Sequence, residues 1–365
     1  RTSTHTHNQI MTLRIAYYLP SLEASGERTL VRSLQRRLPR DRYQTRLFGF
    51  VKNRSLLAQA VDDEYRLCRS IPGDPFVLLK LAREMRGWQP DLLHTWGVAD
   101  LGIEAWWPLK NVARCQVASV HNPPCRKGPM IPARGARWLH HADRVTATSR
   151  VVGSYLESRG PGTQVDVIPA AVESYPGDSE IEPSGIPSSA TVIVVAGSDA
   201  RHERIREALE VMELLCAVHE NLHMVLLGPA ANAVWIPRFC RQLEIESKVH
   251  IDPPGCWQQV LAGATLLLMP SESHGVSTTL FHAMAASLPL VIADTTANRS
   301  LVDESCGDFF PVGDSGQCAR QVHQLLKDPG RMEMMAEAGR RHYESGGNLQ
   351  QMVESYDSIY QELLG

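Results

Sequence analysis

The sequence predicts an α/β protein of two domains, each built on a parallel sheet, and three observations carry that expectation. The chain has 365 residues, more than one hydrophobic core ordinarily organises, which favours two domains of common size. From Leu13 onward, short apolar runs alternate with amphipathic stretches, the pattern of buried strands and crossover helices. That alternation stops between Glu173 and Ser189, in a segment rich in Pro, Ser and Gly, and then begins again.

The elements follow in order. Leu13 to Tyr18 reads as a buried first strand, then a loop with Ser25 and Gly26, then a helix through about Leu38. Tyr43 to Phe50 is a second strand candidate. Asp74-Pro75 opens a helix, with Asp at the N-cap and Pro at the first helical position. Asp91 to Thr95, Cys115 to Val120, Asp143 to Ala147 and Val165 to Ile168 continue the strand series. After the linker, Thr191 to Ala196 is strongly β-branched, Glu203 to His219 is helical, and Met224 to Leu227 is extended. Val249 to Ile251, Thr265 to Met269 and Leu290 to Ala293 follow as strands with helices between them. Leu349, Met352, Val353, Tyr356, Ile359, Tyr360 and Leu363 give the tail from Asn348 to Leu364 a helical spacing. The expected domains are therefore 11–175, a linker at 176–190, a second domain at 191–345, and a terminal helix at 346–365 that returns to the first.

Composition narrows the function classes. Hydrophobic residues make up 43%, charged residues 21%, and the formal net charge is −3, as in an ordinary globular protein. Without a basic excess to neutralise phosphates, a nucleic-acid partner is not expected. The longest apolar runs, such as Thr265 to Pro270, have the length of buried strands and fall well short of a bilayer span. Arg1 to Ile10 is polar and patternless and is read as an upstream extension outside the fold, with no signal peptide following. The eight cysteines are scattered without a close pair at metal-ligand spacing, which suits reduced thiols in a cytoplasmic protein. Asp62-Asp63-Glu64 is the one tight acidic run, and it reads as solvated surface rather than a metal site.

Two such sheets would each bind ligand beyond the carboxyl ends of their strands. That architecture suits glycosyltransferases, nucleotide-sugar epimerases and periplasmic-type binding proteins alike, so the motifs must choose. Tyr17-Tyr18-Leu19-Pro20-Ser21-Leu22, followed by Ser25-Gly26-Glu27-Arg28, forms a strand, a Pro-Ser-Leu turn and a small-residue entry into a helix. Asp91 to Thr95, Ala118 to Asn122, Asp143 to Ser149 and Val167-Ile168-Pro169 follow in the first half. Pro270-Ser271, Ala283-Met284-Ala285 and Leu288 to Val291 follow in the second, and Leu349 to Leu364 closes the chain. Taken in this order, these segments resemble the family-4 (group 1) retaining glycosyltransferases from about Met11 to Gly365. The resemblance implies the GT-B fold, two facing Rossmann-like domains with a C-terminal helix packing back on the first.

The resemblance also implies site residues. Gly26 would let backbone N–H groups approach a phosphate, or it simply permits the turn. His121 matches the family histidine that faces the donor sugar; a histidine bonded to backbone at a loop edge is the alternative. His94 would face the acceptor, or pack beneath it. Gly275, Val276 and Ser277 would present backbone N–H groups at a helix start.

Four donor positions depart from the family. Its signature is Glu, seven residues, then Glu, with the first carboxylate on the sugar hydroxyls and the second on the ribose. Aligned on Ala283-Met284-Ala285, these positions hold His274 and His282. A neutral imidazole accepts at only one nitrogen where a carboxylate offers two oxygens, a loss of roughly 1–3 kcal/mol per bond. Glu272 lies two residues earlier than His274 and is a candidate stand-in. The family's Arg and Lys in the opening loop of this domain become Ser198, after Gly197, and Glu203. Arg201 and Arg204 crowd the same loop and are the candidate replacements, since guanidinium binds phosphate well; solvated helix-start charges are the alternative.

The expected activity is metal-independent hexosyl transfer from a nucleotide-diphosphate sugar to an acceptor hydroxyl, with retention and without a further cofactor. A catalytically impaired binding or regulatory protein on the same scaffold is the alternative. The expected partners are a nucleotide sugar and a glycan or lipid-linked acceptor. Arg32, Arg36, Arg37, Arg40, Arg42 and Arg46 form a basic stretch that would suit peripheral contact with the inner membrane face, or merely a solvated surface.

Overall fold

The computed structural model describes residues 12–22, 25–51, 63–68, 75–97, 109–121, 141–159, 164–173, 186–197, 204–228, 233–251, 257–272, 276–346 and 348–365. The chain divides into two compact units, Arg1–Ile168 with Gln350–Gly365, and Pro169–Leu349. The division falls at Ile168, ahead of residue 175, and the structure supplies a reason. The Tyr343 hydroxyl donates to the Val172 carbonyl at 2.7 Å, tying the segment after Ile168 into the second unit. The expected linker at 176–190 lies mostly outside the described residues.

The first unit is a seven-stranded, all-parallel sheet. Its strands are β1 (Leu13–Leu19), β2 (Tyr43–Val51), β3 (Glu64–Cys68), β4 (Leu92–Trp96), β5 (Cys115–Val120), β6 (Arg144–Ala147) and β7 (Val165–Val167). Their order is β3-β2-β1-β4-β5-β6-β7. Pairing is in register, for example Ile15 with Thr45 on one side and Leu92 on the other. The helices are α1 (Gly26–Arg37), α2 (Pro75–Trp88) and α3 (Arg150–Arg159). Ser25 caps α1, its side chain accepting from the Arg28 N–H, and Glu27 in the first turn suits the positive end of the helix dipole. Pro75 stands at the first position of α2 as expected, while Asp74 lies outside the described residues. Leu78, Leu81 and Met85 of α2 bury themselves against Tyr18, Phe48 and Leu93 of the sheet.

The second unit is a six-stranded parallel sheet. Its strands are β8 (Thr191–Ala196), β9 (Leu222–Leu227), β10 (Val249–Ile251), β11 (Leu266–Met269), β12 (Leu290–Ala293) and β13 (Gly307–Phe310), ordered β10-β9-β8-β11-β12-β13. Its helices are α4 (Ile205–Cys216), α5 (Trp235–Gln242), α6 (Trp257–Ala262), α7 (Thr278–Ala285), α8 (Thr296–Arg299), α9 (Ser315–Leu326) and α10 (Pro329–Gly346). The core is one contiguous cluster in which Leu209 and Met212 of α4 and Val322 of α9 meet Ile193, Leu226 and Leu268.

The last helix, α11 (Leu349–Leu364), belongs to the first unit. Beneath it Tyr17, His94, Ser119 and Thr146, one residue from each of four strands, form a buried polar row. Tyr356 and Tyr360 come down onto that row from the helix. Tyr360 bonds to Tyr17 at 3.2 Å and to His94 Nδ1 at 2.6 Å. Ser119 bonds to His94 Nε2 at 2.7 Å and to Tyr356 at 3.1 Å. Every hydroxyl taken from water thereby finds a partner, as buried polar groups must.

Four expectations are corrected here. β3 and β13 are strands where none was expected, one of them containing alternating charges and the other beginning at a glycine. Glu64 is not solvated: its side chain is 0% exposed and pairs with Arg28 at 3.0 Å, with Arg66 at 2.5 Å, and with Arg32. Burial raises the Glu64 carboxyl's pKa, but the three guanidiniums outweigh it and hold the group below its ordinary range. The basic stretch is partly internal as well. Arg32 serves Glu64, Arg42 pairs with Asp357 on α11 at 3.1 Å, and Arg46 lies over the Trp88 ring. Arg36, Arg37 and Arg40 are exposed. The fourth correction is His94. Both its ring nitrogens are engaged inside the sheet-helix layer and it has no exposed surface, so it packs rather than facing an acceptor.

Among the described residues no helix is long and apolar enough to cross a membrane. Cys68, Cys115, Cys216, Cys240, Cys306 and Cys318 are free thiols.

Candidate functional site

In each sheet the strand order reverses once, at β1/β4 in the first unit and at β8/β11 in the second. Crossovers leave such a point in opposite directions, opening a crevice beyond the carboxyl ends of the two strands. The site candidates concentrate at these two points.

In the first unit β1 runs out through Pro20 and Ser21 toward α1, whose first residue is Gly26. β4 is followed by Gly97, which takes φ +66°. A side chain there would be strained in this left-handed conformation and would lie 3.8 Å from Glu27 and Pro20. Sequence reasoning missed Gly97; its signal was a glycine placed directly after an apolar strand. His121 follows the last residue of β5, 2% exposed, and its carbonyl accepts from the Thr148 hydroxyl at 3.3 Å.

In the second unit β8 ends at Ala196-Gly197, and the Gly197 N–H donates to Leu227 at 3.2 Å. Gly228, after β9, takes φ +92°, and a Cβ there would come within 2.9 Å of the Gly197 carbonyl. Only glycine allows that close approach of the two turns. This position too was missed, although Gly228-Pro229 after an apolar run marks a strand end.

Arg204 stands at the N-cap of α4 in a left-handed conformation, φ 52°. Its guanidinium bonds to Glu272 Oε2 at 2.9 Å and to Glu207. Glu272 comes from the turn after β11, so the fold joins two residues that the sequence singled out separately. Burial pulls the Arg204 pKa down, but the bonds from Glu272 and the charge of Glu207 prevail and it stays charged. Its Nε is buried with no acceptor among the described residues.

Where the described chain resumes, Val276 is buried and Ser277 occupies the N-cap of α7 without a side-chain bond into the first turn. His282, one turn from the end of α7, is 4% exposed. Burial drives its pKa down to about 3, so the imidazole is neutral at ordinary pH. Ser198, Arg201, Glu203, His274 and Gly275 lie outside the described residues. The second switch point therefore joins a guanidinium at the start of α4 to a carboxylate beyond β11, and the helix that follows β11 carries a neutral imidazole. Such a set suits an anion with attached hydroxyls: helix N–H groups and guanidinium take phosphate, and imidazole and carboxylate take hydroxyls.

Comparison with known proteins agrees. The family profile described as glycosyl transferases group 1 matches residues 178–342, and that of glycosyltransferase family 4 matches 24–174. N-acetyl-alpha-D-glucosaminyl L-malate synthase of Bacillus anthracis is 22% identical over 188 residues, 49% of this chain and 48% of that protein. D-inositol 3-phosphate glycosyltransferase of Streptomyces bingchenggensis is 26% identical over 132 residues, 34% of this chain and 29% of that protein. The chain thus matches less than half the length of either curated relative. Among solved structures, sucrose-phosphate synthase from Thermosynechococcus elongatus superposes with a TM-score of 0.79 at 15% identity, covering 96% of this chain and 99% of the other. Anabaena Alr3699/HepE in complex with UDP-glucose gives 0.73 at 14% identity, covering 96% and 100%. At those identities the superpositions establish the GT-B fold. With both halves matched in order by its two family profiles, the chain belongs to the group 1, family 4 glycosyltransferases.

Proposed function

We propose that this protein transfers a sugar, a hexose by family analogy, from a nucleotide-diphosphate donor to an acceptor hydroxyl, with retention and without a metal in the chemical step. The meeting of Arg204, at the start of the helix after β8, with Glu272, beyond the end of β11, carries the reading. As the glycosidic bond breaks, negative charge grows on the leaving diphosphate and must be stabilised. Arg204 and the starts of α4 and α7 supply fixed positive potential there. His282, neutral, hydrogen-bonds the ribose, and Glu272 takes over the hydroxyl contacts that the family gives to a carboxylate near His274. A similar structure holds UDP-glucose, and the curated relatives are named as a glucosaminyl malate synthase and an inositol-phosphate glycosyltransferase, which supports a nucleotide-sugar donor.

One observation favours a second reading, a donor-binding or regulatory protein without turnover. The Arg204 charge is already offset by Glu207 and Glu272, so a diphosphate must compete with two carboxylates for it. Calorimetric titration with UDP, GDP, ADP and TDP, free and as sugar conjugates, tests both. The expected result is micromolar binding of one nucleotide, weakened about tenfold or more in Arg204→Ala or His282→Ala, the equivalent of one hydrogen bond. Binding without sugar release to any acceptor would support the second reading. Absence of binding by all four nucleotides would reject the first.

A further inference from the structure

Away from the switch points, the second unit brings together a cysteine, a histidine and an aspartate from two distant stretches of chain. Asp303 and Cys306 sit in the turn that leads into β13, closed by the Cys306 N–H donating to the Asp303 carbonyl at 3.1 Å. His342 reaches them from α10. One ligand atom from each residue lies within 4.8 Å of the other two.

We propose that Asp303, Cys306 and His342 form a binding site for a zinc-type divalent cation. The donor set decides the class of ion. Thiolate, imidazole and carboxylate together suit zinc, whereas magnesium and calcium take oxygen ligands. Three protein ligands leave a fourth, solvent-facing position. Burial fits that arrangement: Cys306 is 1% exposed at the floor, His342 is half-buried and Asp303 is exposed at the mouth. The turn already orients one ligand. Asp303 Oδ1 accepts from the Ser305 N–H at 2.8 Å and the Ser305 hydroxyl at 2.5 Å, which fixes the carboxylate and leaves its other oxygen for the ion. The Ser305 hydroxyl also stands 3.5 Å from the Cys306 sulfur. A bound zinc would draw the three donors to about 2.0–2.3 Å from itself, a small closure of one turn against one helix. On binding, the Cys306 S–H bond breaks, the proton leaves to solvent and a sulfur–zinc bond forms.

The ion would act on α10 rather than on the transferred sugar. From the same helix, Arg340 donates to the Ala285 carbonyl at the end of α7, and Tyr343 donates to the Val172 carbonyl. Gly339 packs on Met284 of α7. Clamping His342 to the β13 turn therefore stiffens the helix that backs α7 and its His282.

The test titrates the metal-free full chain with cobalt(II) alone, then displaces it with zinc(II). The expected result is one equivalent of cobalt showing a thiolate-to-cobalt charge-transfer band, bleached by zinc. Cys306→Ser should abolish the band, His342→Gln should need more cobalt to develop it, and each should weaken zinc more than the roughly ten- to hundredfold cost of losing an outer-shell partner. Zinc should also raise the melting temperature of the native chain and not of His342→Gln. Should Cys306→Ser fail to fold, the half-buried His342→Gln carries the comparison, with circular dichroism as the check on its fold. A band that persists in folded Cys306→Ser, or zinc affinity unchanged in folded His342→Gln, places the metal elsewhere and overturns the proposal. Cobalt bound without a thiolate band, or no binding at all, overturns it equally.

Discussion

At the scale of single residues, charge removed from water decides what each position tolerates. Glu64 shows this most sharply. Its carboxylate has no exposed surface and faces the guanidiniums of Arg28, Arg32 and Arg66. Removing one partner of such a buried set leaves charge uncompensated, at a cost of about 3–5 kcal/mol. Glu64→Gln is therefore expected to lower the unfolding free energy of the first unit by that amount, read as a lower urea midpoint, while Asp63→Asn, one residue earlier and exposed, leaves the midpoint in place. Equal midpoints for the two variants would show that the three arginines find solvent instead. The same logic governs His282, whose burial keeps it neutral and so limits it to one accepting nitrogen.

At the scale of elements, α11 stands out because it completes a layer formed by a segment almost the whole chain away. Its apolar spacing announced a helix, but the spacing gave no sign of the hydroxyls that hold it. Tyr360 bonds to both Tyr17 and His94, and Tyr356 to Ser119 and Thr146. Tyr360→Phe keeps the ring volume and deletes the hydroxyl, leaving the Nδ1 of a fully buried His94 without its partner. That substitution should destabilise the first unit by about 1–3 kcal/mol, read as a lower thermal midpoint without change in helix content. Tyr43 and Arg42 add a second tie through Asp357, at 2.7 Å and 3.1 Å. The basic stretch after α1 thus spends part of its charge on α11 rather than presenting all of it to a partner.

At the scale of the whole molecule, protonation links the two units to pH. His94 and His282, one in each unit, are both buried and both pushed below the ordinary value of 6.5, His282 to about 3. The unfolded chain takes up protons on these histidines below pH 6.5 and the folded chain does not. Stability is therefore fully present above that pH and falls as the pH drops toward 3, by about 1.4 kcal/mol per unit for each group. The Glu64 carboxyl has an ordinary value of 4.5, lowered in the fold, so its contribution is lost only in more acid solution. Urea unfolding between pH 7 and 5 should show a declining midpoint, and His282→Asn should remove the His282 share of that decline and leave that of His94. A midpoint constant across that range would mean the imidazoles are protonated in place.

The sequence by itself determined the architecture. Strand-helix alternation, its interruption at 173–189 and the ordered family segments gave two parallel sheets, and most strand limits fall within a residue or two of those observed. Such signals are legible because they are local: a buried strand needs a short apolar run and a helix needs a periodic face. β3 and β13 escaped because their burial comes from neighbours rather than from their own composition. The site was only partly legible. Glycine turns and candidate histidines could be named, but that Arg204 meets Glu272 across 68 residues, or that His94 is claimed by Tyr360 across 266, depends on how crossovers return the chain. Tertiary structure alone decided these, and the meeting of Asp303 and Cys306 with His342, because partnership is a matter of distance in space, which residue spacing does not encode.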